Sequence, residues 1–236
     1  MQLVTTMEIK PIAIFHSPFS SKFGIPKQSG IVDTLQGRIV MEPQWRMPEA
    51  LKGLEGFDYL WLVWGFSANS HAPASPMVRP PRLGGNERVG VFASRSPFRP
   101  NPIGLSSVRL EGVEWEGSEA PVILVRGADL MDGTPIYDIK PYVAYADSHP
   151  DARSGFVDTH QWRTLRVEIM PAVETLLSQQ GFPHLLLAQL RDVLAQDPRP
   201  QYQKDPDRVY GMPFAGFDIR FRVCGDQLTV IDAEKM

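Results

Sequence analysis

The chain has 236 residues, of which 43% are hydrophobic and 22% charged, enough for one large domain or two small ones around a buried core. No run approaches the ~20 apolar residues of a membrane helix, so insertion into a membrane is excluded. Its formal net charge of −3, from 24 Lys+Arg against 27 Asp+Glu, excludes nucleic-acid binding through overall charge and requires any such contact to be local.

In chain order, short β-branched or aromatic segments predict strands over Ile12–Phe15, Gly37–Val40, Tyr59–Phe66, Arg88–Phe92, Ser106–Val113 and Val122–Gly127, with a short helix over Pro48–Gly56. The 19 glycines and 22 prolines punctuate them evenly, and no strongly periodic helix precedes about residue 170. A barrel or sandwich is therefore preferred to a βαβ sheet. Residues 140–158, rich in Pro, Asp, Ser and Ala, read as an ordered loop leading out of a first domain spanning 1–158. The remainder, 159–236, reads as a small α+β domain. It has a β-like run over Thr164–Ile169, amphipathic helices over Pro171–Leu177 and Pro183–Ala195, and strands over Phe217–Val223 and Leu228–Asp232 joined by a Gly225-Asp226 hairpin turn.

The common site motifs are absent. There is no G-x-G-x-x-G, P-loop or G-x-S-x-G pattern, and Gly84-Gly85 precedes a predicted strand rather than a helix. Five histidines without paired spacing and a single cysteine, Cys224, argue against a metal site. One cysteine, and no secretory signal over Met1–Lys10, lead to the expectation of a cytoplasmic protein.

Three segments stand out. In Phe92–Ser106, three prolines and a glycine stiffen a loop that carries Arg95, Arg99 and Asn101, a composition suited to a shaped binding surface. Ala128–Tyr142 combines three aspartates with a tight Asp-Gly turn; its carboxylates can accept hydrogen bonds from ribose hydroxyls or an amino group, although on the residues alone a turn with Asx capping is the preferred account. Gly24–Gly30 is a Gly/Pro-framed loop with one cation and an amide. Between Val78 and Arg99 lie five arginines and one acid, Glu87, which is either a solvated face or a local anion site.

The runs Ser94–Ser106, Asp132–Tyr142 and Gly53–Trp61 together resemble the three signatures of the TrmO family, also called TsaA-like or YaeB-like. Val78–Asn86 and Val193–Tyr202 resemble its bacterial branch. The resemblance implies a mainly β protein: a TsaA-like β-barrel catalytic domain, which binds S-adenosylmethionine, followed by a small α+β C-terminal domain. It further implies a homodimer that transfers a methyl group from S-adenosylmethionine to N6 of threonylcarbamoyladenosine at position 37 of threonine tRNA, giving m6t6A.

Carried over by position, the cofactor would meet Lys27, Gln28 and Ser29, Ser67 and Ala68, Arg95, Leu105, and the turn Leu130, Met131, Asp132, Gly133 and Thr134. Arg95 would pair with the methionyl carboxylate, Leu105 would face the adenine, and the Asp132-Gly133 main chain would meet its edge. Lys27-Gln28-Ser29 stands where bacterial members often carry Arg-Gln-Pro, and Ser67-Ala68 where they carry a His-Gln-like pair. Because the target nitrogen must lose a proton, Asn101 and Asp138, then Tyr142, are candidate hydrogen-bond acceptors, and Arg99 would orient the threonylcarbamoyl carboxylate. RNA contact would use Arg79, Arg82, Arg88, Arg199 and Lys204, with Phe98 and Tyr202 stacking on bases. A rival reading is a non-catalytic module that holds an adenosyl ligand and recruits a partner.

Overall fold

A computed structural model describes residues 8–68, 76–80, 87–158, 163–200, 203 and 205–236. Six strands close into an antiparallel barrel in the order β1-β2-β7-β6-β3-β8: β1 Ala13–His16, β2 Gln36–Met41, β3 Tyr59–Gly65, β6 Ile103–Glu114, β7 Val122–Arg126 and β8 Thr134–Pro141. Alternation sets each strand's facing. In β3, Leu60, Leu62 and Trp64 are buried while Tyr59, Trp61 and Val63 face outward. Ala13, Phe15, Ile39, Val108, Ile123 and Ile136 complete the barrel core.

Closure depends on β8, which pairs with both β3 and β1; Ala13 lies opposite Ile136, and Phe15 opposite Thr134. This strand falls where the sequence suggested only a loop, because its two prolines obscure the pattern. Pro135 and Pro141 sit at its ends, where strands tolerate them. Two other expectations need correcting. The strand expected over Arg88–Phe92 is a two-residue pairing of β4 Met77–Val78 with β5 Val89–Gly90, followed by a single 3-10 turn. The helix expected over Pro48–Gly56 is one turn, α1 Pro48–Leu51, plus a 3-10 turn over Leu54–Gly56, interrupted by Gly53 in the left-handed region at φ +88°. After β8 comes another short helix, α2 Ala144–Asp147.

A second sheet has the order β10-β11-β12-β9: β9 Arg166–Ile169, β10 Tyr210–Phe214, β11 Phe217–Cys224 and β12 Gln227–Lys235. Helices α3 Pro171–Gln179 and α4 His184–Ala195 bury Val173, Leu177, Leu190 and Leu194 in its core. That core is not built from the C-terminal region alone. Phe19, Val32 and Leu35, from the long connection between β1 and β2, are buried in it. Phe19 packs edge-on against Phe214 at 5.4 Å between centroids, and the Ala215 amide donates to the Pro18 carbonyl at 2.7 Å. Gly24, at φ +95°, allows the chain to lie directly on Met212, where any Cβ would overlap the thioether.

The 17–35 connection thus belongs to the barrel by sequence and to the second core by packing. Phe19→Ala should lower unfolding stability by about 3–5 kcal/mol in a urea titration of the whole chain. A loss below about 1 kcal/mol would show that the connection is not an integral part of that core.

Candidate active site

The proline-braced loop folds on itself. Arg99 Nη1 donates to the Ser94 and Ser96 carbonyls at 3.1 and 3.4 Å, Ser94 Oγ donates to the Val91 carbonyl at 2.9 Å, and the Ser96 amide donates to Ser94 Oγ at 3.3 Å. Beside it lies a cavity of about 500 Å³, within the ~300–1,000 Å³ usual for small-molecule sites. Four stretches wall it: this loop with the start of β6, the Lys22–Gln28 part of the first connection, the end of β3 with the residues after it, and Asp129, Met131 and Thr134 at the entry to β8.

Of the residues singled out from sequence, Lys27, Gln28, Ser67, Ala68, Arg95, Arg99, Leu105, Met131 and Thr134 all line this cavity. Arg95 Nη1 donates to Gln28 Oε1 at 2.5 Å, linking two walls that are 67 positions apart in sequence. Leu105 is 55% exposed and offers an apolar surface, with Ile103 beside it. Lys27 reaches solvent, yet the neighbouring wall desolvates its ammonium and lowers its pKa, an effect that the Asp197 charge opposes.

Leu130, Asp132, Gly133 and Ser29 are not among the residues that line the cavity. Leu130 is in the barrel core. Gly133, at φ +74°, makes the tight turn, and its amide donates to the Phe15 carbonyl at 2.9 Å; the Asp132 amide donates to the Phe19 carbonyl at 2.8 Å. Asp132 Oδ1 accepts the Ser17 amide at 3.2 Å and lies 3.0 Å from His16 Nδ1. These two amides bind the Asp132-Gly133 turn to β1 and its exit.

The candidate proton acceptors are not in the wall either. Asn101 is exposed at the end of the proline loop, its carbonyl accepting the Ile103 amide at 2.7 Å. Asp138 lies opposite Val63, beside a bulge between β3 and β8; its Oδ2 lies 2.9 Å from Lys140 Nζ, and its Oδ1 accepts the Ile139 amide at 3.0 Å. Tyr142 contacts the rings of Tyr59 and Trp61 at 6.1 and 5.8 Å, and Trp61 itself lines the cavity.

Of the five cationic residues assigned to RNA, Arg82 and Lys204 lie outside the described residues, as does Tyr202. Arg79 and Arg88 are exposed and flank the paired residues Val78 and Val89. Arg199 is different: Nε and Nη2 form a bidentate pair with Asp197 at 2.8 and 2.9 Å, and its side chain is only 12% exposed. Its guanidinium holds the turn after α4. Among the described residues, no group of three His, Cys, Asp or Glu could hold a metal ion, and no helix is long and apolar enough to cross a membrane.

Among the lining residues that the sequence reading does not single out, one is an acid. Asp129 follows Ala128 in the segment whose Asp-Gly turn drew attention to Asp132, and it is the only acid in the wall among the described residues. Trp64 Nε1 donates to Ser106 Oγ at 3.0 Å, and Ser106 Oγ donates to Asp129 Oδ1 at 2.5 Å, forming a polar chain through the barrel mouth. Ser106 is 2% exposed, and Gly104 leaves room for the Trp64 ring, which a Cβ there would strike. A buried serine on an otherwise apolar strand face was the available signal.

Burial pushes the Asp129 carboxyl above the ordinary aspartate range, against the hydrogen bond from Ser106, the backbone amides of Asp129 and Ser29, and the Arg95 charge. A raised folded-state value means stability that is complete below the unfolded-chain pKa, near 4, and is lost as pH rises through the folded one. Asp129→Asn keeps the acceptor for Ser106 without the charge. Its melting temperature should therefore match the parent near pH 4 and exceed it at pH 8; equal values at both pH values would show that ionised Asp129 carries no burial penalty.

Residues 14–148 match the profile of the tRNA-methyltransferase O N-terminal domain, and residues 163–236 that of the TrmO C-terminal domain. The tRNA (adenine(37)-N6)-methyltransferase of Escherichia coli is 38% identical over 224 residues, covering 93% of this chain and 94% of that protein. A putative S-adenosylmethionine-dependent methyltransferase of Pseudomonas aeruginosa is 40% identical over 219 residues, covering 92% of each. A crystal structure of TrmO from P. aeruginosa superposes with a TM-score of 0.79 at 34% identity over 99% of both chains. With both halves matched and relatives of this similarity along nearly its full length, the chain belongs to the TrmO family.

Proposed function

We propose that this protein is an S-adenosylmethionine-dependent tRNA methyltransferase that modifies N6 of threonylcarbamoyladenosine at position 37 of threonine tRNA to m6t6A. It would act as a cytoplasmic homodimer, with residues 1–158 forming the donor-binding barrel and 159–236 the second domain. The observation that carries this reading is the convergence of the Arg95 loop and residues 129–134 on one cavity, beside an apolar surface at Leu105. The names of the E. coli and P. aeruginosa relatives support the reaction class and the donor.

The wall chemistry fits an adenosyl amino-acid ligand: Arg95 for a carboxylate, Leu105 and Ile103 for a purine, and one carboxylate in a wall otherwise carrying cations. When bound, the sulfonium supplies both the methyl group and its leaving group, so no metal or strong acid is required of the protein. What the chain must supply is position. Arg99, fixed by two carbonyls, is set to receive the carboxylate of the threonylcarbamoyl arm. The other cations of the wall, Lys22, Lys27 and Arg95, favour an anionic substrate there despite the net charge of −3. Asn101, at the rim, and Asp138, on the outer face near Val63, would accept a hydrogen bond from the reacting N6–H; Tyr142 is a third candidate. Exposed Arg79 and Arg88 would meet phosphates.

Mass spectrometry of the threonine tRNA anticodon fragment from cells lacking the protein should show a loss of on the order of 14 mass units, one CH₂, on the modified adenosine, as the positional reading requires. An unchanged mass removes the proposed substrate. In a radiolabelled transfer assay, Asn101→Ala or Asp138→Ala should reduce turnover on the order of 100-fold with little change in donor affinity; surviving turnover removes those roles. Light scattering should find a particle of twice the 26.5 kDa chain mass, and a single-chain mass would eliminate the homodimer.

A further inference from the structure

Among the described residues, the cavity wall holds four cationic side chains, Lys22, Lys27, Arg95 and Arg99, and a single carboxylate, Asp129. A lone acid in such a wall would be expected to form a simple ion pair with a neighbouring cation. Instead, Arg95 Nη1 is bonded to Gln28, and Asp129 is held by a neutral donor, Ser106 Oγ at 2.5 Å. Ser106 is in turn fixed by Trp64 Nε1 at 3.0 Å. Two strands, β3 and β6, thus hold one carboxylate beside the cavity, and among the described residues it forms no ion pair.

An α-amino acid presents opposite charges on neighbouring atoms. A site that recognises its carboxylate with an arginine therefore needs an anion close to that arginine for the ammonium. Asp129 and Arg95 are close enough for each charge to influence the other. Taking the donor identity from the proposed function, we infer that Asp129 is the binding residue for the α-ammonium of the methyl donor's methionyl end, and that the Trp64–Ser106 pair is the device that orients it. The residue is thus a specificity determinant for the amino-acid part of the donor. The burial that raises its pKa in the free protein also makes an incoming ammonium more favourable, because an isolated anion poorly served by solvent gains most from a cation.

Calorimetry on the whole chain with two ligands tests this. S-adenosylhomocysteine keeps the amino-acid end; 5′-methylthioadenosine lacks it. Asp129→Asn should weaken S-adenosylhomocysteine on the order of 10- to 100-fold, the usual worth of a charged hydrogen bond, and change 5′-methylthioadenosine by less than about threefold. Ser106→Ala, which keeps the carboxylate but frees it, should weaken only S-adenosylhomocysteine, by about three- to tenfold. Should Asp129→Asn fail to fold, the Ser106→Ala ratio decides. Equal losses for both ligands would overturn the inference in favour of a general role in pocket shape. Unchanged S-adenosylhomocysteine affinity with abolished methyl transfer would overturn it in favour of a proton acceptor. If the unaltered protein binds neither ligand, the donor reading itself fails, and the inference with it.

Discussion

The pairing of β1 with β8 is the constraint on which the site depends. Strand β8 begins only after residues 128–133 have crossed the barrel mouth, and β1 ends where the first connection leaves it. Joining these strands brings Asp132 and Gly133 against Phe15 and Phe19 through two main-chain hydrogen bonds. Those bonds fix Met131 and Thr134 as wall residues beside the first connection. An open sheet would leave the same residues on separate edges. The cavity is therefore a product of closure, in keeping with the way barrels build sites at their ends.

A second theme is the uneven satisfaction of polar groups near the mouth. The Arg199–Asp197 pair and the Asp132 turn are closed systems in which donor and acceptor answer each other. Asp129 is different: several donors favour its anion, but burial outweighs them. Well-paired groups such as the first two stabilise a fold. A poorly compensated carboxylate is a standing cost, of the kind that functional sites retain because a ligand relieves it.

Much of the barrel was legible from residue pattern. The alternation of Tyr59–Gly65 and the β-branched run of Val122–Arg126 read directly as strands, and Leu190, Val193 and Leu194 marked α4. Where proline entered a strand, the pattern failed. Pro135 and Pro141 hid β8, and Gly211 with Pro213 hid β10. The start of β6 was also obscured, since the proline loop passes into sheet at Ile103, three residues before Ser106. Among site residues, family resemblance located Arg95, Leu105 and Thr134 in the wall but fixed attention on Asp132, whose carboxylate is engaged by His16 and Ser17. Asp129 has no local signature; its significance arises only when Ser106, 23 positions earlier, folds against it. Arg199 shows the converse, a motif arginine whose partner two residues before it makes it architectural.

The dual membership of the 17–35 connection governs how this chain can be cut and recombined. A fragment ending at residue 158 would expose Phe19, Val32 and Leu35 to water and release the strip that carries Lys27 and Gln28. A chimera that exchanges the C-terminal portion with a relative's would need to bring that relative's equivalent strip along. The heritable unit of this architecture is thus discontinuous, and the cavity's lip and the distal sheet should diverge together.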